Sequence, residues 1–385
     1  MARPTPAFTS FMTHFSSLPD PRSPLGKRHV LSDMLTIAVC AVICGADSWC
    51  AVEEFGRAKH DWFATFLELP HGVPSHDTFG RVFAALDPAA LESCFGAWTS
   101  ALSGGSGGKL VSLDGKSIRR SFGHAWDHSG MAHLVSAFVG ANRLVLGQVA
   151  VGAGAEGGEP RGNEITALPK LLDLLDLRGS TVSIDAIGCQ RSVSAKVLEK
   201  GADYVLCVKE NQPTLHAELK ALLDEAVLDG QMPLDHFREV DGDHGRIETR
   251  ELWASDQVQH LRLPEPWPGL ASIACVRRVR EVIGGDTSDE WSYYVSSIRR
   301  PGAAALAEAI RGHWGIENKL HWHLDVSFGE DACRVRKGHG AENFSRLRRI
   351  ALNLLQREAT NKRGIRIKRQ RAGWDQDYLL RVLTG

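Results

Sequence analysis

Two aspartates in this chain close short apolar runs in the same way: Asp114 in "VSLDGKSIRRS" and Asp185 in "TVSIDAIGCQ". A carboxylate at the end of a buried parallel strand sits where α/β sheets open their ligand crevice. Left unpartnered there it is costly, so it needs a cation, a set of backbone donors or a metal. If the two strands are neighbours, the carboxylates converge and repel unless a divalent ion lies between them. Oxygen-only ligands favour magnesium or manganese. Taken singly, each aspartate is equally well read as the cap of a turn; taken together they favour the metal.

A third carboxylate is available at Glu317, in the helical run "RGHWGIENKLHW". It is an acid in surroundings rich in His, Trp and Arg, although a plain helix pair with His313 or His321 accounts for it too. His313, Glu317 and His321 also recur every four residues, as zinc ligands on one helix face do. No fourth ligand or general base accompanies them, which disfavours zinc. Asp325, Glu330 and Asp331 are weaker candidates, and Asp331 with Arg334 reads as a surface pair.

The elements that must position these residues follow from periodicity. Residues 1–103 repeat apolar positions three and four apart, with turn signals at "LPHGVPSHD" and Ser32, Ser75 and Asp77 placed as caps, which predicts a helical N-terminal domain. The "SGGSGGKL" that follows is a linker by composition. No Ser or Thr follows its lysine and a strand comes next, so it is not a phosphate loop. Strand patterns then appear at "KLVSLD", "AHLVSAFVG" and "RLVLGQVAVG", followed by helix, strand, helix and strand through residue 209. That order describes a mixed α/β sheet with helices on its faces. Residues 210–297 open with a helix and continue as a β-rich insertion. Helical patterns return over 298–360, and residues 361–385 form a basic C-terminal tail.

Composition narrows the class. The 385 residues carry 45 Lys plus Arg against 46 Asp plus Glu, so a polyanion has to be held by local basic patches rather than by overall charge. The eight cysteines form no C-x-x-C pair and mostly lie in apolar runs, as small buried hydrophobes do in a reducing cytosol. "MLTIAVCAVICGA" is shorter than the roughly 20 residues a membrane span needs, so no membrane segment is expected. The N-terminus lacks the apolar core of a signal peptide.

Several long blocks in order carry a family resemblance: "RHVLSDMLTIAVCAVICGADSW", "LVSLDGKSIR", "GNEITALPKLL", "DAIGCQ", "YVLCVKENQ", "HGRIETRELW" and "HWGIENKLHWHLDVSFGEDACRVRKGHGAENFSRLRRIALNLL". Together they resemble the DDE transposases of bacterial insertion sequences, in the H-repeat-associated branch. The resemblance implies a ribonuclease-H-like core over 109–209 and 298–360, interrupted by the β-rich insertion and preceded by the helical domain. It implies that Asp114, Asp185 and Glu317 hold two divalent ions, Mg2+ or Mn2+. It further implies metal-dependent cleavage at the element's ends, strand transfer into target DNA, and a homodimer working on double-stranded DNA in the bacterial cytoplasm, at the nucleoid. No small-molecule cofactor is expected. The broader superfamily places Tyr seven residues before the Glu, Arg four before and Lys seven after; this chain has Ile310, His313 and Leu324 there. Contacts to DNA near the cut bond are therefore assigned to other residues.

Those are Lys116, Arg119 and Arg120 just past Asp114, then His313, Lys319, Arg334, Arg336 and Lys337. Arg346 and Arg349 join them in the dense run that continues through Arg348, Lys362, Arg363, Arg366, Lys368, Arg369 and Arg371, suited to phosphate contacts that position a duplex. Two other functions stay open: a metal-dependent nuclease that never joins strands, and a transposase-derived DNA-binding regulator without catalysis.

Overall fold

In the computed structural model, residues 6–25, 27–121, 131–152, 163–243 and 245–384 are described. The first five residues of the N-terminal segment, together with Gly162 and His244 of two motif blocks, lie outside them. Six helices come first: α1 (Pro6–Phe15), α2 (Leu31–Cys44), α3 (Trp49–Ala58), α4 (His60–Phe63), α5 (His76–Ala85) and α6 (Pro88–Ser103). Three of them start on side-chain caps, Ser48 for α3, Ser75 for α5 and Asp87 for α6, each satisfying an N–H of the first turn. Ser32 falls inside α2, whose N-cap is Val30 and carries no side-chain bond. The apolar stretch of α2 is buried almost throughout. Among the described residues no single helix is long and apolar enough to cross a membrane.

The central feature is one nine-stranded mixed sheet. Its strands are β1 (Leu110–Ser117), β2 (His133–Val139), β3 (Leu144–Val151), β4 (Thr181–Ile184), β5 (Asp203–Val208), β6 (Asp235–Asp243), β7 (Arg246–Ser255), β8 (Ser272–Val282) and β9 (Thr287–Ser296), in the order β3-β2-β1-β4-β5-β9-β8-β7-β6. β1, β4 and β5 run parallel, and the remaining pairs are antiparallel. The parallel strands are linked by α7 (Glu164–Leu174) and α8 (Arg191–Glu199), whose apolar faces pack on the sheet. α9 (Pro213–Asp229) leads into β6–β9. β9 pairs with β5 from Val205↔Ser296 to Val208↔Tyr293, so these four strands continue the sheet rather than form a body of their own.

The other helices are α10 (Ala303–His313), α11 (Gly340–Arg357), α12 (Ile365–Trp374) and α13 (Gln376–Thr384). α11 is buried along nearly its whole length between the N-terminal helices and β2–β3. One apolar cluster joins α1–α6 to α11, α12 and α13. The stretch read from sequence as a basic tail is therefore two packed helices: Ile365, Ala372, Tyr378, Leu379, Val382 and Leu383 are buried in that cluster. Its cations are partly internal as well. Lys368 Nζ donates to the Leu355 carbonyl, and Arg369 lies over the Phe328 ring and donates to the carbonyls of Val42 and Ile43.

Candidate carboxylate site

The register of β1 against β4 ends at Leu113↔Ile184, and the next residue on each strand is the aspartate. Parallel neighbours in register lie about 4.8 Å apart with side chains on the same face, so Asp114 and Asp185 stand side by side at the C-terminal edge of the pair. Asp185 also caps a short 3-10 turn, accepting from Gly188 N at 3.4 Å, so its turn-capping role and its place beside Asp114 coexist. Asn211 and Gln212 hold this turn from below: Asn211 Nδ2 donates to the Ala186 carbonyl at 2.6 Å and Gln212 Nε2 to that of Cys189 at 3.0 Å.

α10 lies across β1, β4 and β5. Gly312 permits the approach, because a Cβ there would come within 2.4 Å of Leu110 Cδ2. Beyond α10 the helix widens into two π-helical stretches, Glu317–His321 and His323–Ser327, with Trp322 N bonded to Glu317 O and Phe328 N to His323 O. Such wide turns cluster at functional sites. Here they bring His321 Nδ1 to 3.5 Å from Asp114 Oδ2, while Glu317 stays exposed and its charge reaches Asp114. Burial pushes the His321 ring down to about 3 and His313 down to about 4, so both are neutral near pH 7 and the contact with Asp114 is dipolar rather than ionic. The buried His321 Nε2 has no hydrogen-bond partner. His313 instead turns to Ser183 Oγ, 3.1 Å from its Nδ1.

Burial is the largest cause that lifts Asp114, to about 7, and the charges of Asp185, Glu317 and Glu164 add to it. Asp185 is raised by burial and by Glu164. Glu164 was not singled out from sequence. It opens α7 after the Asn163 cap, where an acid is the ordinary choice near the helix dipole, and nothing local distinguishes it. A chain of bonds fixes it: Ser117 Oγ and His133 Nδ1 are 2.7 Å apart, and His133 Nε2 and Glu164 Oε1 are 2.5 Å apart. Gly115 leaves room for this carboxylate, since a Cβ there would lie 2.2 Å from Glu164 Oε1 and 2.8 Å from His133 Nε2.

Among the described residues, no three His, Cys, Asp or Glu side chains gather closely enough to form a ready-made metal cage. His313 turns to Ser183 and His321 to Asp114, so with Glu317 they do not converge as zinc ligands on one face. The donor chemistry of the aspartates fits a hard divalent ion: oxygen ligands only, mutually repelling, and short of cationic partners.

Four of the residues assigned to DNA are occupied elsewhere. Lys116 is buried and ion-paired with Asp325 at 2.6 Å and Asp331 at 3.3 Å. His313 is held against Ser183 under the helix. Arg346 is buried between Glu92 (2.5 Å) and Glu342 (2.8 Å), and Arg349 is buried against Glu330 (3.1 Å) and Ser136. Each is corrected from a DNA contact to an internal partner, because a cation closed off by carboxylates, or in His313 a neutral ring turned to Ser183, has no face to offer phosphate. Glu330 is likewise an internal partner, and Asp331 pairs with Lys116 and Arg119 rather than with Arg334. Arg119, Arg120, Lys319, Arg334, Arg336 and Lys337 are exposed.

Residues 105–354 match the family described as the transposase DDE domain, and residues 12–99 match the DDE_Tnp_1-associated family. The chain belongs to the DDE transposase family. It is 35% identical over 381 residues to the H repeat-associated putative transposase YhhI of Escherichia coli K12, covering 97% of each chain. It is 37% identical over 378 residues to the putative transposase YncI of Escherichia coli O157:H7, covering 97% of this chain and 94% of that one. A piggyBac transposase synaptic complex with hairpin DNA aligns with a TM-score of 0.42 at 11% identity, over 98% of this chain and 81% of that one, a likeness too distant to argue from. DDE transposases generally use divalent metal ions, and membership of the family supports DNA as the partner.

Proposed function

We propose that this chain is an active DNA transposase in which Asp114, Asp185 and Glu317 hold two divalent ions, cut DNA at the element's ends and join those ends to a target. The observation that carries the reading is the β1–β4 register, which sets Asp114 beside Asp185 with Glu317 close enough to help raise the Asp114 carboxyl to about 7. On this reading the core is ribonuclease-H-like, formed by 109–209 and 298–360, and β6–β9 are an insertion that extends its sheet.

When bound, the ions activate the attacking oxygen and stabilise the departing one. The chain's own residues prepare the place. The two parallel strands fix the spacing of the aspartates, and the Asp185 turn is braced by Asn211 and Gln212. The neutral His321 backs Asp114 without cancelling its charge toward an incoming cation. Arg119 and Lys319, exposed and close in the chain to Asp114 and Glu317, suit the anionic substrate. Paired cuts at two ends are expected to be made by a homodimer on nucleoid DNA.

The test is cleavage of a plasmid carrying the gene and its natural flanks in magnesium, in EDTA, and with the Asp185→Asn protein. Magnesium-dependent nicks at the element's ends that disappear in the variant support the reading, and unchanged cutting by Asp185→Asn would sink it. Nicks without joined products would favour the nuclease. Binding to the ends without any cut would favour the regulator.

A further inference from the structure

A track of positive side chains leads from the carboxylate strand to the N-terminal helices. Arg119, 80% exposed, lies at the end of β1 and pairs with Asp331 at 3.1 Å. Arg336 Nε donates to the Arg120 carbonyl at 2.9 Å, so residues 334–337 run beside the chain as it leaves Asp114. The same segment is then pinned to the N-terminal helices. His339 N donates to the Ala84 carbonyl at 3.0 Å, and Gly338, at φ +51°, sits so close that a Cβ would come within 2.5 Å of the Ala84 oxygen.

Between this pinned segment and the first turns of α3 and α5 is a cleft of about 460 Å³. Arg81, Arg334, Arg336 and Lys337 line it, with Trp49 and Cys50 from the start of α3. Asp47 and Asp77 lie at the same cleft, so four cations face two carboxylates and an excess of positive charge remains. The beginning of α3 adds the partial positive charge of a helix N-terminus. Within the α11 network Arg346 and Arg349 are buried against glutamates, whereas Arg81, Arg334 and Lys337 stand exposed on a concave wall.

We propose that this cleft binds the sugar–phosphate backbone of the duplex that flanks the bond to be cut. The inference rests on the DNA reading above and extends it to a second contact area outside the carboxylates. Continuity decides the occupant: the cleft joins the strand of Asp114 through Arg119 and Arg336, and an anion long enough to touch both is a nucleic acid strand. Separated cations of this kind neutralise phosphates without reading bases.

The test uses the full chain in EDTA, so that nothing is cut, with a fluorescent 40-base-pair duplex taken from the DNA flanking the gene. Affinity is measured by anisotropy across a salt series for the wild type, Arg81→Glu, the double variant Arg334→Ala/Lys337→Ala, and Arg178→Ala. Arg178 is an exposed cation beside the turn that precedes β4, at the opposite end of the parallel strands. The double variant should bind on the order of tenfold more weakly, with the salt slope reduced by about 2, and Arg81→Glu should weaken binding while Arg178→Ala does not. Equal affinity and slope in the wild type and both cleft variants, or an equal loss in Arg178→Ala, overturns the cleft while leaving the DNA reading standing. A wild type that binds no duplex at low salt overturns both.

A second measurement does not depend on how the variants fold. Cys50 is the one exposed cysteine among the described residues and lies in the cleft, so a photo-crosslinker attached there should capture the duplex. Absence of any crosslink under conditions of saturated binding overturns the proposal.

Discussion

Asp114 is a carboxyl group that its surroundings keep from ionising until about pH 7. Its folded-state value lies above the unfolded one, so the stability it contributes is present below about pH 4 and is lost as the pH rises through 7. Metal-free Asp114→Asn protein should therefore melt higher than metal-free wild type at pH 8, by on the order of 2–4 kcal/mol at most, and the two melting curves should converge as the pH falls toward 4. Added magnesium should raise the wild-type melting temperature and leave the variant's unmoved. Convergence at high pH instead would contradict the account of repelling carboxylates. Next to it, Gly115→Ala forces the Glu164 carboxylate out of its bond with His133. The expected result is loss of cleavage with a stability cost of about 1 kcal/mol, read by comparing activity with thermal melting. Of these residues, Asp114 and Asp185 could be singled out in sequence because two apolar runs end on an acid in the same way, although either alone reads as a turn cap. Glu164 was not, because an acid in the first turn of a helix is an ordinary one.

At the scale of elements, α11 shows where sequence pattern misleads. "SRLRRIALNLL" reads as a basic face ready for phosphate, but its partners Glu92 and Glu330 lie on distant or irregular segments that no local period reveals. Glu92 serves two masters: one oxygen accepts from Gln148 N on β3 and the other from Arg346. Arg346→Met removes the cation and leaves that glutamate buried and unpaired, so it should cost about 3–5 kcal/mol. The salt dependence of duplex binding by the protein that remains folded should not change, whereas a DNA-contacting arginine would lower its slope by about 1. The strands of residues 235–296 were legible as strand-like runs such as "RIETRELWA" and "WSYYVSSI" between turn residues. Their union with the core sheet was not, since it depends on the single nonlocal pairing of β5 with β9. The π-helical turns after α10 left no periodic trace either, because the apolar spacing there suits an ordinary helix about as well.

At the scale of the whole molecule, the helices that open the chain and those that close it share one apolar core, and α1 touches α13 directly. A chain ending at Thr360 would leave the α2 and α11 surfaces beneath α12 and α13 bare. It is expected to lose cooperative melting and to bind a hydrophobic dye, whereas a dispensable tail would leave both unchanged. This arrangement also bears on how the protein comes into being. During synthesis the apolar face of α2 has to wait for residues 365–383, made more than 300 residues later, whereas the sheet core of residues 111–295 contains none of them. A gene copy cut short before residue 361 is therefore expected to yield a chain whose helical half presents bare apolar surface to proteases.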